Sequence, residues 1–184
     1  MPGPARYARG EGRFEHKIHA RDGKAAMKLS PTARRVQQAL EASDLRLNVV
    51  ELPASTRTVI EAAQAVGCEI GQIVKSLIFK TRHSERPILV LASGVNRVDE
   101  RRIEAHLGEE LVKADADFVR DQTGFAIGGI PPVAHINKIE TFFDEDLLQY
   151  SEIWAAAGTP NSVFRIAPAD LLRLTDARLG KIAT

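Results

Sequence analysis

The chain has 184 residues, 25 Lys and Arg against 24 Asp and Glu, and a formal net charge of +1 at pH 7. This length fits one compact domain, and a composition of 44% hydrophobic and 27% charged residues excludes wholesale disorder. The single cysteine, Cys68, excludes an internal disulfide framework and a multi-cysteine metal site, and the balanced charge excludes a strongly basic nucleic-acid wrapper while leaving room for a local basic patch.

No segment approaches the length of apolar sequence that spans a bilayer. Residues 1–26 carry Arg6, Arg9, Arg13, Lys17, Arg21 and Lys24 without a continuous apolar core, which is not the pattern of a secretory signal. Glu11, Glu15 and Asp22, with no serine in the stretch, argue against a transit peptide. The expectation is a disordered leader over 1–29, a folded domain over 30–184, and a cytoplasmic location.

Order begins at Ser30-Pro31, a capping residue followed by a proline suited to the first helical position. Ala33, Val36, Ala39 and Leu40 recur at helical spacing and predict a helix over 31–43. Leu47, Val49, Val50 and Leu52 predict a strand that stops at Pro53. Thr58 and Glu61 have capping-box spacing, and the helix they open should end at Gly67. Strands follow over 73–80 and 87–92, joined by a short polar hairpin connection at 81–86. Helices are predicted over 99–107, with Gly108 as the stop, and over 115–121. Residues 124–133 break every periodicity. Strands over 141–143, 153–156 and 163–166 and a helix over 169–174 complete a chain of α+β or mixed α/β class.

Two features could carry chemistry. On a strand with period two, Lys75 shares a face with Leu77 and Phe79, so it either snorkels to solvent or faces a cleft as an anion anchor. Gly128-Gly129-Ile130-Pro131-Pro132 combines permissive with stiff backbone. It is either a structural turn or a loop that aims the N–H groups of Gly128, Gly129 and Ile130 at a developing negative charge. Cys68 reads as a small packed side chain. The five histidines lack metal-ligand spacing in the folded part, and His135 alone lies near the glycine loop. Ala92-Ser93-Gly94 lacks the nucleophile-elbow pattern, and no dinucleotide or P-loop motif occurs. The run Asp144-Glu145-Asp146 reads as a solvated turn, with Asp144 at a strand end able to line a cleft.

The segments 73–79, 125–133 and Trp154-Ala-Ala-Ala-Gly158 follow one another in an order and spacing that resemble the YbaK/ProX (EbsC) family. Its members are trans-acting aminoacyl-tRNA deacylases related to the editing domain of bacterial prolyl-tRNA synthetase. The likeness runs from about Ser30 to Ile182. It implies a partly rolled mixed sheet of about seven strands flanked by helices, and hydrolysis of the ester between a wrong amino acid and the 3′ end of tRNA(Pro). By motif, Lys75, Gly128 and Gly129 become the expected catalytic residues, with the Gly128 and Gly129 amides on the oxyanion. Pro131 and Gly158 match the stiffened loop and the pocket edge. Ser76, Ile130, Ala156 and His135 complete the expected substrate-binding set.

No cofactor and no metal is implied. The implied partners are the tRNA 3′ acceptor end and prolyl-tRNA synthetase. The sequence departs from the family where Ala156 replaces the serine of its cysteinyl-tRNA deacylases, and where Ser76 replaces the asparagine of its alanyl-specific branch. The amino acid therefore stays open among alanine, cysteine, serine, threonine and 2-aminobutyrate. Two other readings also stay open: a non-catalytic tRNA- or synthetase-binding module of the same fold, and a small-molecule amino-acid carrier. Arg97, Arg101 and Arg102 form either part of a basic patch or an ordinary solvated face.

Overall fold

Ser30 and Pro31 open the first helix by the chemistry of helix ends: Ser30 Oγ accepts the N–H of Ala33 at 3.2 Å, and Pro31 sits at the first helical position. The computed structural model describes residues 29–53, 56 and 58–184, so the leader expected over 1–29 lies outside the described residues except for Leu29. Helix α1 (Pro31–Glu41) buries Ala33, Val36 and Leu40, and strand β1 (Val49–Glu51) follows. Thr58 and Glu61 form the reciprocal capping box of α2 (Val59–Val66), whose bonds measure 3.2 and 3.1 Å. Gly67, at φ +72°, ends that helix in the left-handed conformation.

A 3-10 turn, Ile70–Gln72, leads into β2 (Ile73–Thr81), which folds back as a hairpin on β3 (Pro87–Ser93). Then come α3 (Glu100–Leu107), β4 (Leu111–Lys113) and α4 (Ala116–Thr123). Residues 124–139 form neither helix nor strand. The chain finishes with β5 (Glu140–Asp144), a 3-10 turn Glu145–Gln149, β6 (Ile153–Ala156), β7 (Ser162–Ile166), α5 (Pro168–Thr175) and β8 (Arg178–Gly180).

The described residues form a mixed α/β fold, an eight-stranded sheet in the order β1-β7-β6-β2-β3-β5-β8, with β4 paired to β2. The pairs β2–β6, β3–β5 and β5–β8 are parallel and the rest antiparallel. Side chains of β3 alternate between two cores, as a strand's period of two requires. Leu89 and Leu91 join Ala33, Val36, Leu40, Phe143 and Leu171 on one face, while Ile88 and Val90 join Phe142 and Ile103 on the other. A third, smaller cluster of Ala62, Ala63, Val66, Ile73 and Val163 seats α2.

Strand β2 positions the site. One edge pairs with β3 from Val74 to Lys80. The other edge pairs with β6 only at Ile73 and Val74, and with β4 only from Phe79 to Thr81. Among the described residues, Lys75 to Ile78 therefore have a strand neighbour on one side only.

Candidate active site

A cavity of about 330 Å³ opens along that unpartnered stretch, at the small end of the range for ligand sites. Five consecutive residues, Ile73 to Leu77, line it. Alternate side chains of a strand point to opposite faces, so consecutive residues share one cavity here because it wraps around a free strand edge. Val59, Ala62 and Val66 of α2 form one wall, Trp154 to Ala156 of β6 another, and Ile127 to Ile130 close the opening. Among the described residues that line it, Lys75 is the sole charged side chain.

Lys75 is half-buried between two apolar clusters. Ile73, on the same face, belongs to the cluster under α2, and Leu77 and Phe79 belong to the one under α3. Its ammonium donates to the backbone carbonyl of Asn96, in the turn that follows β3. Burial pulls the lysine below its ordinary pKa, and the carboxylate of Asp144 opposes the shift. The sequence left Lys75 between a snorkelling and a cleft-facing role; the residue is part of the cavity lining, and its ammonium is bonded to Asn96, which is not.

The glycine loop approaches from the other side. Gly129 N–H donates to Ala126 O at 3.3 Å and closes a tight turn. Among the described residues the N–H groups of Gly128 and Ile130 have no acceptor. Of the three loop amides the sequence put forward, those of Gly128 and Ile130 are thus free, whereas that of Gly129, which the resemblance paired with Gly128 on the oxyanion, is engaged. Gly129 serves contact instead: a Cβ there would lie 2.8–2.9 Å from the backbone of Thr159.

Of the expected substrate-binding residues, Ser76, Ile130 and Ala156 line the cavity. Ser76 Oγ is buried and has no hydrogen-bond partner among the described residues. Pro131, Gly158 and His135 lie behind the wall rather than in it. His135 donates its Nε2–H to Pro131 O at 2.7 Å and meets the Phe125 ring edge-to-face at 6.2 Å. Burial holds His135 below the ordinary histidine pKa. The guanidinium of Arg35 covers the same phenyl ring at 3.8 Å. Gly158, at φ +97°, donates its N–H to Gly129 O at 2.9 Å. These three residues brace the loop.

Sequence reasoning missed the apolar walls. Ala62 and Val66 stand one helical turn apart on α2, a spacing that marks a shared face without telling a cavity wall from core. It read the run from Asp144 as a solvated turn, with Asp144 at a strand end able to line a cleft; Asp144 does end β5, but it is 1% exposed and does not line the cavity. Cys68 packs against the cluster under α2 and does not line the cavity, and burial pushes its thiol up to about 11. Among the described residues no group of three or more His, Cys, Asp or Glu side chains could hold a metal ion, and no helix is long and apolar enough to cross a membrane.

The site is a small cavity in an eight-stranded mixed sheet, lined among the described residues by one cation and a glycine loop. The chain belongs to the aminoacyl-tRNA editing domain family, whose model matches residues 53–174. It is 29% identical over 124 residues to the uncharacterized protein YwhH of Bacillus subtilis, covering 67% of this chain and 78% of YwhH. It is 26% identical over 123 residues, 66% of this chain and 74% of the relative, to EbsC of Enterococcus faecalis, whose name assigns it provisionally as a Cys-tRNA(Pro)/Cys-tRNA(Cys) deacylase. A solved structure described as a candidate trans-editing enzyme for prolyl-tRNA synthetase superposes with a TM-score of 0.81 at 52% identity, covering 85% of this chain and 99% of that one.

Proposed function

We propose that this chain is a trans-acting aminoacyl-tRNA deacylase that hydrolyses the ester between a small, wrongly chosen amino acid and the 3′ end of tRNA(Pro). The observation that carries the reading is the convergence of Lys75 and the Gly128–Ile130 loop on one small cavity. An aminoacyl ester is already activated, so holding it beside a water and stabilising the oxyanion supply most of the catalysis. Water adds to the ester carbonyl, and the tetrahedral oxyanion takes the free amides of Gly128 and Ile130. A single donor of this kind is worth roughly 2.7–4 kcal/mol in other enzymes. Collapse expels the ribose oxygen, which takes a proton, and one water has been consumed to give a free amino acid and uncharged tRNA. No covalent nucleophile is needed.

Lys75 anchors the phosphate of the terminal adenosine or orients the ester. The walls from Ala62, Val66, Ile73, Trp154 and Val163 sort side chains by size, at about 1–3 kcal/mol per methylene. The assigned role of EbsC and the description of the solved neighbour support the same reaction class, and the neighbour's description makes prolyl-tRNA synthetase the partner of choice. A substrate of this kind is made in the cytoplasm, where the reading puts the protein to work.

The test is a panel of tRNA(Pro) charged with alanine, cysteine, serine, threonine or 2-aminobutyrate. Release of one or more of these amino acids by the wild type, abolished in Lys75→Ala, supports the reading. Tight tRNA binding without turnover of any substrate overturns it in favour of a binding module. Binding of free amino acids without competition by tRNA overturns it in favour of a carrier.

A further inference from the structure

Lys75 is held by a turn, and the turn is held by a buried acid. Residues Ser93 to Asn96 form a tight turn closed by Asn96 N–H donating to Ser93 O at 3.0 Å. Its last carbonyl, that of Asn96, receives the Lys75 ammonium. The side chain of Asn96 donates to Asp144 Oδ2 at 2.8 Å and to Asp146 Oδ2 at 2.7 Å. Asp144 Oδ2 also accepts the N–H of Ser93 at 3.0 Å, and Asp144 Oδ1 accepts the N–H of Asp146 at 3.2 Å. The start of the turn is pinned as well. Ser93 Oγ donates to Gly71 O at 2.7 Å, and a Cβ on Gly94 would collide with the carbonyl oxygen of Ile70.

Asp144 is 1% exposed, and a buried carboxylate is tolerated when its oxygens are met by donors. Here those donors come from both ends of the turn that carries the lysine's acceptor. We propose that Asp144, acting through Asn96, is the positioning residue for Lys75: it fixes the carbonyl that holds the ammonium at the cavity. The proposal deepens the deacylase reading and rests on it for its kinetic test only. Among the described residues, the charged groups on this side of Lys75 are Asp144 at the end of β5, Asp146 in the following turn and the exposed Arg97 next to Asn96. Among the described residues, the cavity lining from α2, β6, β7 and the glycine loop carries none.

Asp144→Asn removes the charge and replaces one acceptor by a donor with little change of shape, and Asn96→Ala removes the link while leaving the Asp144–Ser93 bond. Glu145→Gln, on an exposed neighbour outside the network, is the control. Two readouts are taken on folded protein. In deacylation, both network variants are expected to lose kcat, on the order of 10–100-fold for Asp144→Asn, with KM within about twofold of the wild type. In protein carrying [ε-13C]lysine, with the Lys75 signal assigned by its loss in Lys75→Arg, that signal is expected to titrate at lower pH in Asp144→Asn, because the opposing carboxylate is gone. If Asp144→Asn does not fold, Asn96→Ala carries both readouts, with a displaced Lys75 chemical shift expected. A loss of kcat with the Lys75 signal unchanged in shift and titration reduces Asp144 to a structural role and overturns the proposal. So does wild-type kcat in both variants. Absence of any wild-type turnover overturns the deacylase reading instead, while the lysine signal still reports on the network.

Discussion

The amide of Gly158 donates to the carbonyl of Gly129 at 2.9 Å, which ties the glycine loop backbone-to-backbone to the turn between β6 and β7. A side chain on Gly129 would lie 2.8–2.9 Å from the backbone of Thr159, where no rotamer change can relieve the clash. Gly129→Ala is therefore expected to displace the loop, lowering kcat on the order of 100-fold together with the melting temperature. A Cβ on Gly128, at φ +98°, would meet nothing within 4 Å. Gly128→Ala should cost only the backbone strain, about 1–2 kcal/mol, and retain more activity. Melting curves and single-turnover deacylation of the two variants side by side check the order.

The lowered pKa of Lys75 fixes the sign of one pH effect. If the ammonium is the working form, raising the pH removes its proton earlier than from an ordinary lysine. The profile of kcat/KM is expected to fall on the alkaline side below the usual lysine range, and Lys75→Met should abolish both the limb and most of the rate. Substrate esters hydrolyse spontaneously in base, so each point is corrected by a blank without protein.

Ser76 gives a prediction in which stability and binding move in opposite directions. Its Oγ is buried at the cavity without a partner among the described residues, and an unmet hydroxyl costs about 1–3 kcal/mol. Ser76→Ala is expected to match or exceed wild-type stability in urea unfolding. Loss of a substrate hydrogen bond worth about 0.5–1.5 kcal/mol should at the same time raise KM by roughly 2–10-fold.

Away from the site, Glu109 ties off the β2–β3 hairpin. Its carboxylate accepts Ser84 Oγ and Ser84 N–H at 2.7 Å each, and the His83 N–H at 2.5 Å. Those bonds, the Ser84 side chain first, hold its pKa down from 4.5 to about 2. A carboxyl group depressed on folding stabilises fully above its unfolded pKa, and that contribution is lost as the pH falls through the folded value. Denaturant midpoints are expected to decline between pH 4.5 and 2, and Glu109→Gln should flatten part of that decline.

Local chemistry was legible in the sequence because it acts over three or four residues. The Ser30 cap, the Thr58–Glu61 box and the stop at Gly67 all stand where the spacing put them. The strands β4 and β8, three residues each, are too short to display a period, and only sheet pairing defines them. The cavity was half legible. Lys75 and the glycine loop could be named from residue type. The free edge of β2 depends on where β4 and β6 stop pairing, which no local pattern encodes. Asp144 was legible as the end of a strand but not as buried, for the same reason: an acidic run is usually wet, and only the fold brings Asn96 and Ser93 to it.

The gap along β2 has a kinetic side. Its rims come from residues near 74, 80, 112 and 155, so the opening has no existence until the late strand β6 docks parallel beside β2. Parallel pairing across some eighty positions is a long-range event that closes slowly. A nascent or partly refolded chain with its hairpin already zipped is therefore still without a cleft, and recovery of function on refolding should trail the return of secondary structure.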